Sequence, residues 1–224
     1  KSAAIILEDA DLDATMEGLK TASLMNNGEA CAAQTRILAP RSRYDEVAEA
    51  LAAMVGGLAV GDPADYSTEI GPLVARRQQE RVEGYIRLGQ EEGAKIITGG
   101  LERPRDRGWY VAPTVFADVR NDMRIAQEEI FGPVLALIPY EDEDDAVRIA
   151  NDSAYGLGGS VWTADVDHGV EVARRIRTGS CGVNLYVLDP NTPFGGFKDS
   201  GLGRELGPEG LTAYLEHKSI PRPA

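Results

Sequence analysis

An α/β fold with a mostly parallel sheet flanked by helices is what this sequence predicts, and three observations carry the prediction. Short apolar runs alternate along the chain with longer stretches of helical spacing, the rhythm of parallel βα pairing. Residues 134–140 (VLALIPY) form a near-continuous apolar run, as a strand covered on both faces would. At 224 residues the chain is long enough to bury a core of that kind.

The elements follow in order. Asp9-Ala10-Asp11 offers a helix start, and residues 12–25 carry Leu12, Met16 and Leu19 at helical spacing until Gly28 interrupts. Residues 35–39 read as a short strand ended by Pro40. Ser42 is placed to cap a helix over 44–55, whose Val47, Leu51, Met54 and Val55 form an apolar stripe. Gly56-Gly57 stops it, and 61–72 is loop-rich. Residues 75–92 read as a charged helix with Val82, Ile86 and Leu88 facing inward. A strand over 95–98 closes at Gly99-Gly100; 101–108 is an exposed hairpin or loop; 110–119 is extended and broken by Pro113. After the apolar strand come a helix over 142–151, a strand over 158–162, a helix over 165–176 and a strand over 182–185. Residues 213–220 alternate like a strand, at a sheet edge or paired with another subunit.

The formal net charge is −13. So acidic a chain repels phosphate backbones and anionic lipid, which excludes nucleic acid and membrane surfaces as expected partners. No apolar run approaches the roughly 20 residues of a bilayer span. The sequence opens on Lys1 without Met or a signal-peptide pattern, so an upstream segment is expected. The two cysteines, Cys31 and Cys181, do not make a disulfide framework, and a reduced, cytoplasmic setting is the simpler expectation. His168 and His217 stand isolated, without the spacing of a zinc site.

Three segments carry chemistry-bearing residues. In Asn26-Asn27-Gly28-Glu29-Ala30-Cys31, a thiol closely follows a helix-breaking glycine. A tight turn there can expose the sulfur and offer an N–H to a developing oxyanion. A lone cysteine is also a common small core residue, and no histidine lies nearby in sequence. In Glu128-Glu129-Ile130-Phe131-Gly132-Pro133, a carboxylate and a flat ring sit on a rigid bend. Glu129 suits ribose hydroxyls and Phe131 a flat heterocycle; the plain alternative is a helix end and a turn. The third segment, 193–205 (PFGGFKDSGLGRE), is rich in glycine but has neither phosphate-loop spacing nor a strand-to-helix setting. A loop bordering a pocket, with Phe194 in its wall, suits it better.

Together these segments, in this order, resemble the NAD(P)-dependent aldehyde dehydrogenases nearly end to end. Lys1-Ser2-Ala3-Ala4 resembles the end and sequel of that family's Glu-Leu-Gly-Gly-Lys motif, 27–31 its active-site cysteine motif, 128–133 its cofactor-ribose motif, and 193–203 its Pro-Phe-Gly-Gly motif. The resemblance implies that Cys31 attacks an aldehyde to give a thiohemiacetal, then a thioester that water hydrolyses. It implies that Glu129 and Phe131 bind NAD or NADP, with NAD favoured, and that Asn184 and Phe194 approach a small aldehyde substrate. It further implies a catalytic domain over 1–205, a C-terminal oligomerisation segment over 206–224 and a homo-oligomer of the full-length protein.

The sequence also departs from the pattern. The family's general base, its oxyanion asparagine and its nucleotide-binding domain would lie before Lys1, so the chain by itself is expected to be inactive. Position 29, often Gln in the family, is Glu here, and a carboxylate close to the thiol would raise its pKa. Rival readings are an acylating semialdehyde dehydrogenase using coenzyme A, a non-catalytic structural relative, and a redox protein pairing Cys31 with Cys181. The last requires the two Cα atoms within about 7 Å.

Overall fold

The computed structural model describes residues 1–223. Along the chain run β1 (Ala3–Ile6), α1 (Leu12–Leu24), β2 (Arg36–Pro40), α2 (Tyr44–Gly56), α3 (Arg76–Glu91), β3 (Lys95–Gly100), β4 (Ala112–Ala117) and α4 (Arg124–Gln127). They are followed by β5 (Val134–Tyr140), α5 (Glu143–Asn151), β6 (Tyr155–Gly156), β7 (Gly159–Trp162), α6 (Val166–Arg174), β8 (Gly182–Val183), β9 (Phe197–Lys198) and α7 (Gly207–Leu211).

Seven strands form one sheet in the order β3-β4-β5-β2-β1-β7-β8. Every pairing is parallel except β3 with β4. The exception follows from connection length: the 101–111 link can reverse the chain but is too short to carry a crossover. Pro113, which gives no ladder hydrogen bond, sits where the β3–β4 register shifts between Thr98 and Gly100, a position that tolerates it.

Period-two alternation sends successive strand residues to opposite faces. Ala3, Ile5, Leu38, Val134, Ala136 and Ile138 join a core layer with Val82 and Ile86 of α3, Val147 of α5 and Val172 of α6. Ala4, Ile6, Ile37, Ala39, Leu135 and Leu137 face the other way, onto Met16 and Leu19 of α1 and Val47, Leu51 and Val55 of α2. The sheet is covered on both sides, and that is why 134–140 reads as an unbroken apolar run. Among the described residues no helix is long and apolar enough to cross a membrane.

Three helices start at aspartates that accept from a backbone N–H: Asp11 from Ala14, Asp142 from Asp145 and Asp165 from His168. Ser42 does not cap α2. Its hydroxyl donates to Glu8 at 2.7 Å, and a 3-10 turn over Arg41–Arg43 leads into the helix instead.

The expected strand over 213–220 does not form. Thr212–Tyr214 is a 3-10 turn, and the exposed chain beyond it pairs with no strand among the described residues. Alternation marks a half-buried strand only where an open sheet edge is in reach, and this segment meets none in its own chain. The strand predicted over 182–185 stops at Val183, because Asn184 turns to φ 55°. β1, an interior strand between β2 and β7, is an element that sequence patterning leaves unassigned. A separate two-stranded ladder pairs Tyr155 with Lys198 and Gly156 with Phe197, laying the third glycine-rich segment along the loop after α5.

Candidate functional site

The thiol loop begins where α1 ends. Asn26 (φ 53°), Asn27 (φ 59°) and Gly28 (φ 73°) are successive left-handed residues. Asparagine tolerates that conformation better than most residues, and glycine adopts it without strain. Side-chain bonds hold the turn. Asn26 Nδ2 donates to Glu29 O at 3.0 Å, while Asn27 accepts from Gly71 N at 2.8 Å and donates to Pro72 O at 3.2 Å. Gly28 lies flat on the second motif: a Cβ there would stand 2.4 Å from the Gly132 carbonyl oxygen.

Cys31 leaves this turn exposed and unpaired in any disulfide, and its N–H makes no hydrogen bond within the described residues. Glu29, whose orientation spacing alone leaves open, is held by the 71–74 loop: its carboxylate accepts from Val74 N at 3.1 and 3.3 Å. Burial holds the Glu29 carboxyl above the usual range, and the Val74 N–H opposes that shift.

Of the two adjacent glutamates, only one is committed. Glu128 accepts from Arg124 at 2.7 Å and from the Tyr85 hydroxyl at 2.6 Å, and Arg124 first and Tyr85 second hold its pKa down. Glu129 is exposed, and its carboxylate has no partner among the described residues; its backbone carbonyl accepts from Arg81. Phe131 sits at φ 64°, a costly conformation for a bulky residue. Gln78 of α3 holds it there, its Nε2 donating to Ile130 O at 3.1 Å and Phe131 O at 2.5 Å.

One cleft gathers Cys31, Glu129 and Phe131. Lys1, Thr35, Tyr155, Leu157, Asp199 and Ser200 complete much of its lining. Burial, then the Arg36 guanidinium, pushes the Lys1 ammonium down to about 7. A free carboxylate and a flat ring beside a thiol fit a nicotinamide nucleotide, with ribose hydroxyls to Glu129 and the ring system near Phe131.

The structure does not bring Asn184 or Phe194 to this cleft. Asn184 spends its amide on Thr163, accepting from the N–H at 2.8 Å and donating to the carbonyl at 2.7 Å, which closes β7 against β8. Phe194 exchanges backbone hydrogen bonds with Glu205 at 2.7 and 2.8 Å. The third motif contributes Asp199 and Ser200 instead, and Ser200 Oγ accepts from Gly156 N at 3.0 Å. Tyr155 and Leu157 escape the motif reading; their signal is an aromatic and a leucine interleaved with Gly156 and Gly158 after a helix. Cys181 is half-buried and free, and burial pushes its thiol up to about 12, far from a nucleophile at neutral pH.

Residues 1–220 match the family model for the aldehyde dehydrogenase family. The geranial dehydrogenase of Castellaniella defragrans is 57% identical over 220 residues, covering 98% of this chain and 46% of that protein. The 3-succinoylsemialdehyde-pyridine dehydrogenase of Pseudomonas sp is 46% identical, with 98% and 46% covered. Among solved structures, a Mycobacterium tuberculosis aldehyde dehydrogenase complexed with NAD+ superimposes with a TM-score of 0.97 at 56% identity, covering 100% of this chain and 46% of the other. A Pseudomonas syringae aldehyde dehydrogenase C mutant in complex with NAD+ and octanal gives 0.94 at 45% identity, with 98% and 46% covered. The chain therefore spans just under half the length of these relatives.

Proposed function

The chain belongs to the aldehyde dehydrogenase family, and on that premise we propose that it supplies the thiol half of an enzyme that oxidises an aldehyde to a carboxylic acid with NAD+. The observation that carries this reading is the convergence of an exposed Cys31, an uncommitted Glu129 and the constrained Phe131 on one cleft. In it, the Cys31 thiolate adds to the aldehyde carbon, and the Cys31 N–H donates to the oxyanion that develops. The bound cofactor, with Glu129 on its ribose and Phe131 beside its ring, supplies the hydride acceptor. Cys31 is then left carrying the acyl group as a thioester, and water releases the acid and returns the thiol. The Glu29 carboxylate is held by the Val74 N–H.

The substrate class follows from the relatives and the cleft. A geranial dehydrogenase and an octanal-bound structure stand among the similar proteins, and Phe131, Tyr155 and Leu157 give this chain's share of the cleft an apolar wall. An apolar aldehyde of medium length is the proposed substrate. Subunit contact through 206–224 is proposed from the exposure of Leu211, Tyr214, Leu215 and Ile220, which leaves an apolar surface at the end of the chain. A reducing, cytoplasmic setting suits two free cysteines.

The test is NADH formation by the full-length protein across apolar, charged and short-chain aldehydes, with NAD+ and NADP+ compared and the 224-residue chain run beside it. The expected result is turnover of octanal and geranial with NAD+ by the full-length protein and none by the chain alone. Turnover only when coenzyme A is added would replace this reading with the acylating one. No turnover under any condition would leave a non-catalytic relative.

A further inference from the structure

The last carbonyls of a helix have no partner in the helix, and most helix ends leave them to water or to a glycine turn. The end of α5 is different. All five consecutive carbonyls over 149–153 accept from side chains. Arg36 gives Nη1 to Ile149 O at 2.8 Å and Nη2 to Ala150 O at 2.8 Å. Lys198 gives Nζ to Asn151 O at 2.6 Å and to Ser153 O at 2.8 Å. The Asp152 carbonyl between them takes Asn121 Nδ2 and Gln127 Nε2, each at 3.0 Å. Arg36 also holds Lys1 O, through Nε at 3.1 Å and Nη2 at 2.6 Å.

Three of these four donors come from the three segments that meet in the cleft. Arg36 opens the strand that follows Cys31, Gln127 ends the helix that leads into Glu129, and Lys198 immediately precedes Asp199 and Ser200. The chain leaving the same carbonyls supplies Tyr155 and Leu157. A helix C-terminus attracts cations, but Arg36 is only 1% exposed. Enclosing a guanidinium is an expensive way to end one surface helix. The expense is intelligible if the bonds fix something beyond the helix.

We propose that the carbonyl end of α5 is the hub that sets the thiol segment, the Glu129 turn and the third motif relative to one another, with Arg36 and Lys198 as positioning residues for the chemistry of Cys31. The inference rests on the proposed reaction for its functional meaning, but the hub itself is a property of the chain. Neither side chain lines the cleft. Their effect is carried by backbone, through short segments that each end on a cleft residue.

The test uses the full-length protein with Lys198→Met, Lys198→Arg and Arg36→Lys. Lys198→Met removes two hydrogen bonds at a half-buried position, so it leaves the fold standing even if Arg36→Lys does not. Two readouts are taken: kcat per titrated Cys31 thiol with aldehyde KM, and amide hydrogen exchange. Expected for Lys198→Met is a fall in kcat per thiol of roughly 10- to 100-fold, the scale of a misplacement remote from the chemistry, with KM changed far less. Lys198→Arg restores part of it. Faster exchange spreads beyond the broken contacts to the 127–131 and 31–36 segments. Faster exchange confined to 151–153 and 197–200, with kcat per thiol as in the wild type, overturns the hub. A wild-type protein that oxidises no aldehyde would sink the proposed reaction, and exchange alone would then decide the hub.

Discussion

Replacing Cys31 by alanine in the full-length protein is expected to lower aldehyde-dependent NADH formation by on the order of 10⁴- to 10⁶-fold, the cost of removing a covalent nucleophile. Stability should hardly change. Within this chain's described residues the thiol makes no hydrogen bond and fills no core position, so the truncation is expected to stay within about 0.5 kcal/mol. The measurement pairs initial rates with a thermal melt. A large rate loss at unchanged Tm assigns the effect to chemistry. A variant that keeps its rate would show that the sulfur is not the nucleophile, whatever the motif around it.

Gly28→Ala is expected to damage stability and activity together. The position combines φ +73° with a backbone obstacle, the Gly132 carbonyl oxygen 2.4 Å from any added Cβ. The left-handed conformation costs an alanine about 1–2 kcal/mol. The overlap adds roughly 1–3 kcal/mol as backbone is forced to move. Either the thiol turn or the Phe131 bend must give, and both line the cleft, so kcat should fall about 10²-fold as well. Gly84→Ala is the control. It lies on the exposed side of α3 with nothing within 4 Å of an added Cβ. There alanine should stabilise, by up to about 1 kcal/mol. Urea midpoints and kcat for the two variants separate a special position from a generic glycine effect. Equal and small effects at both sites would mean that the thiol turn does not need a glycine at position 28.

How much of this was legible in the sequence depends on the range of the interaction. Local signals read well. The aspartate start of α1, the apolar stripe of α2 and the doubly covered run of β5 all follow from residues within one or two turns of each other. β1 did not read as a strand because Ala3-Ala4-Ile5-Ile6 is short and half alanine, and its place depends on β2 and β7 flanking it. Residues 213–220 carry a strand's alternation but find no edge to join among the described residues of their own chain.

The site divides similarly. Cys31, Glu129 and Phe131 were visible because each stands in a distinctive local motif, and the structure gathers them in one cleft. Which of the two adjacent glutamates is uncommitted was not decided by spacing; it depends on Arg124 and Tyr85 occupying Glu128. The direction of Glu29 depends on a loop 45 residues away. Asn184 was expected near the substrate by position, and its amide bonds to Thr163, 21 residues away, which local spacing does not announce. The bonds from Arg36 to the end of α5 join residues 113 and 114 positions apart, and no periodicity announces them.

In the proposed reaction the acyl group passes through Cys31. The most direct test of this step mixes the full-length protein with aldehyde and NAD+, quenches in acid over a series of early times, and maps the peptides by mass spectrometry. The expected result is an added mass equal to the aldehyde less two hydrogens on the peptide containing Cys31, appearing only when both aldehyde and NAD+ are present. Carboxylic acid forming at full rate with no acyl group on Cys31 at any quench time, or with the adduct on another residue, would contradict it.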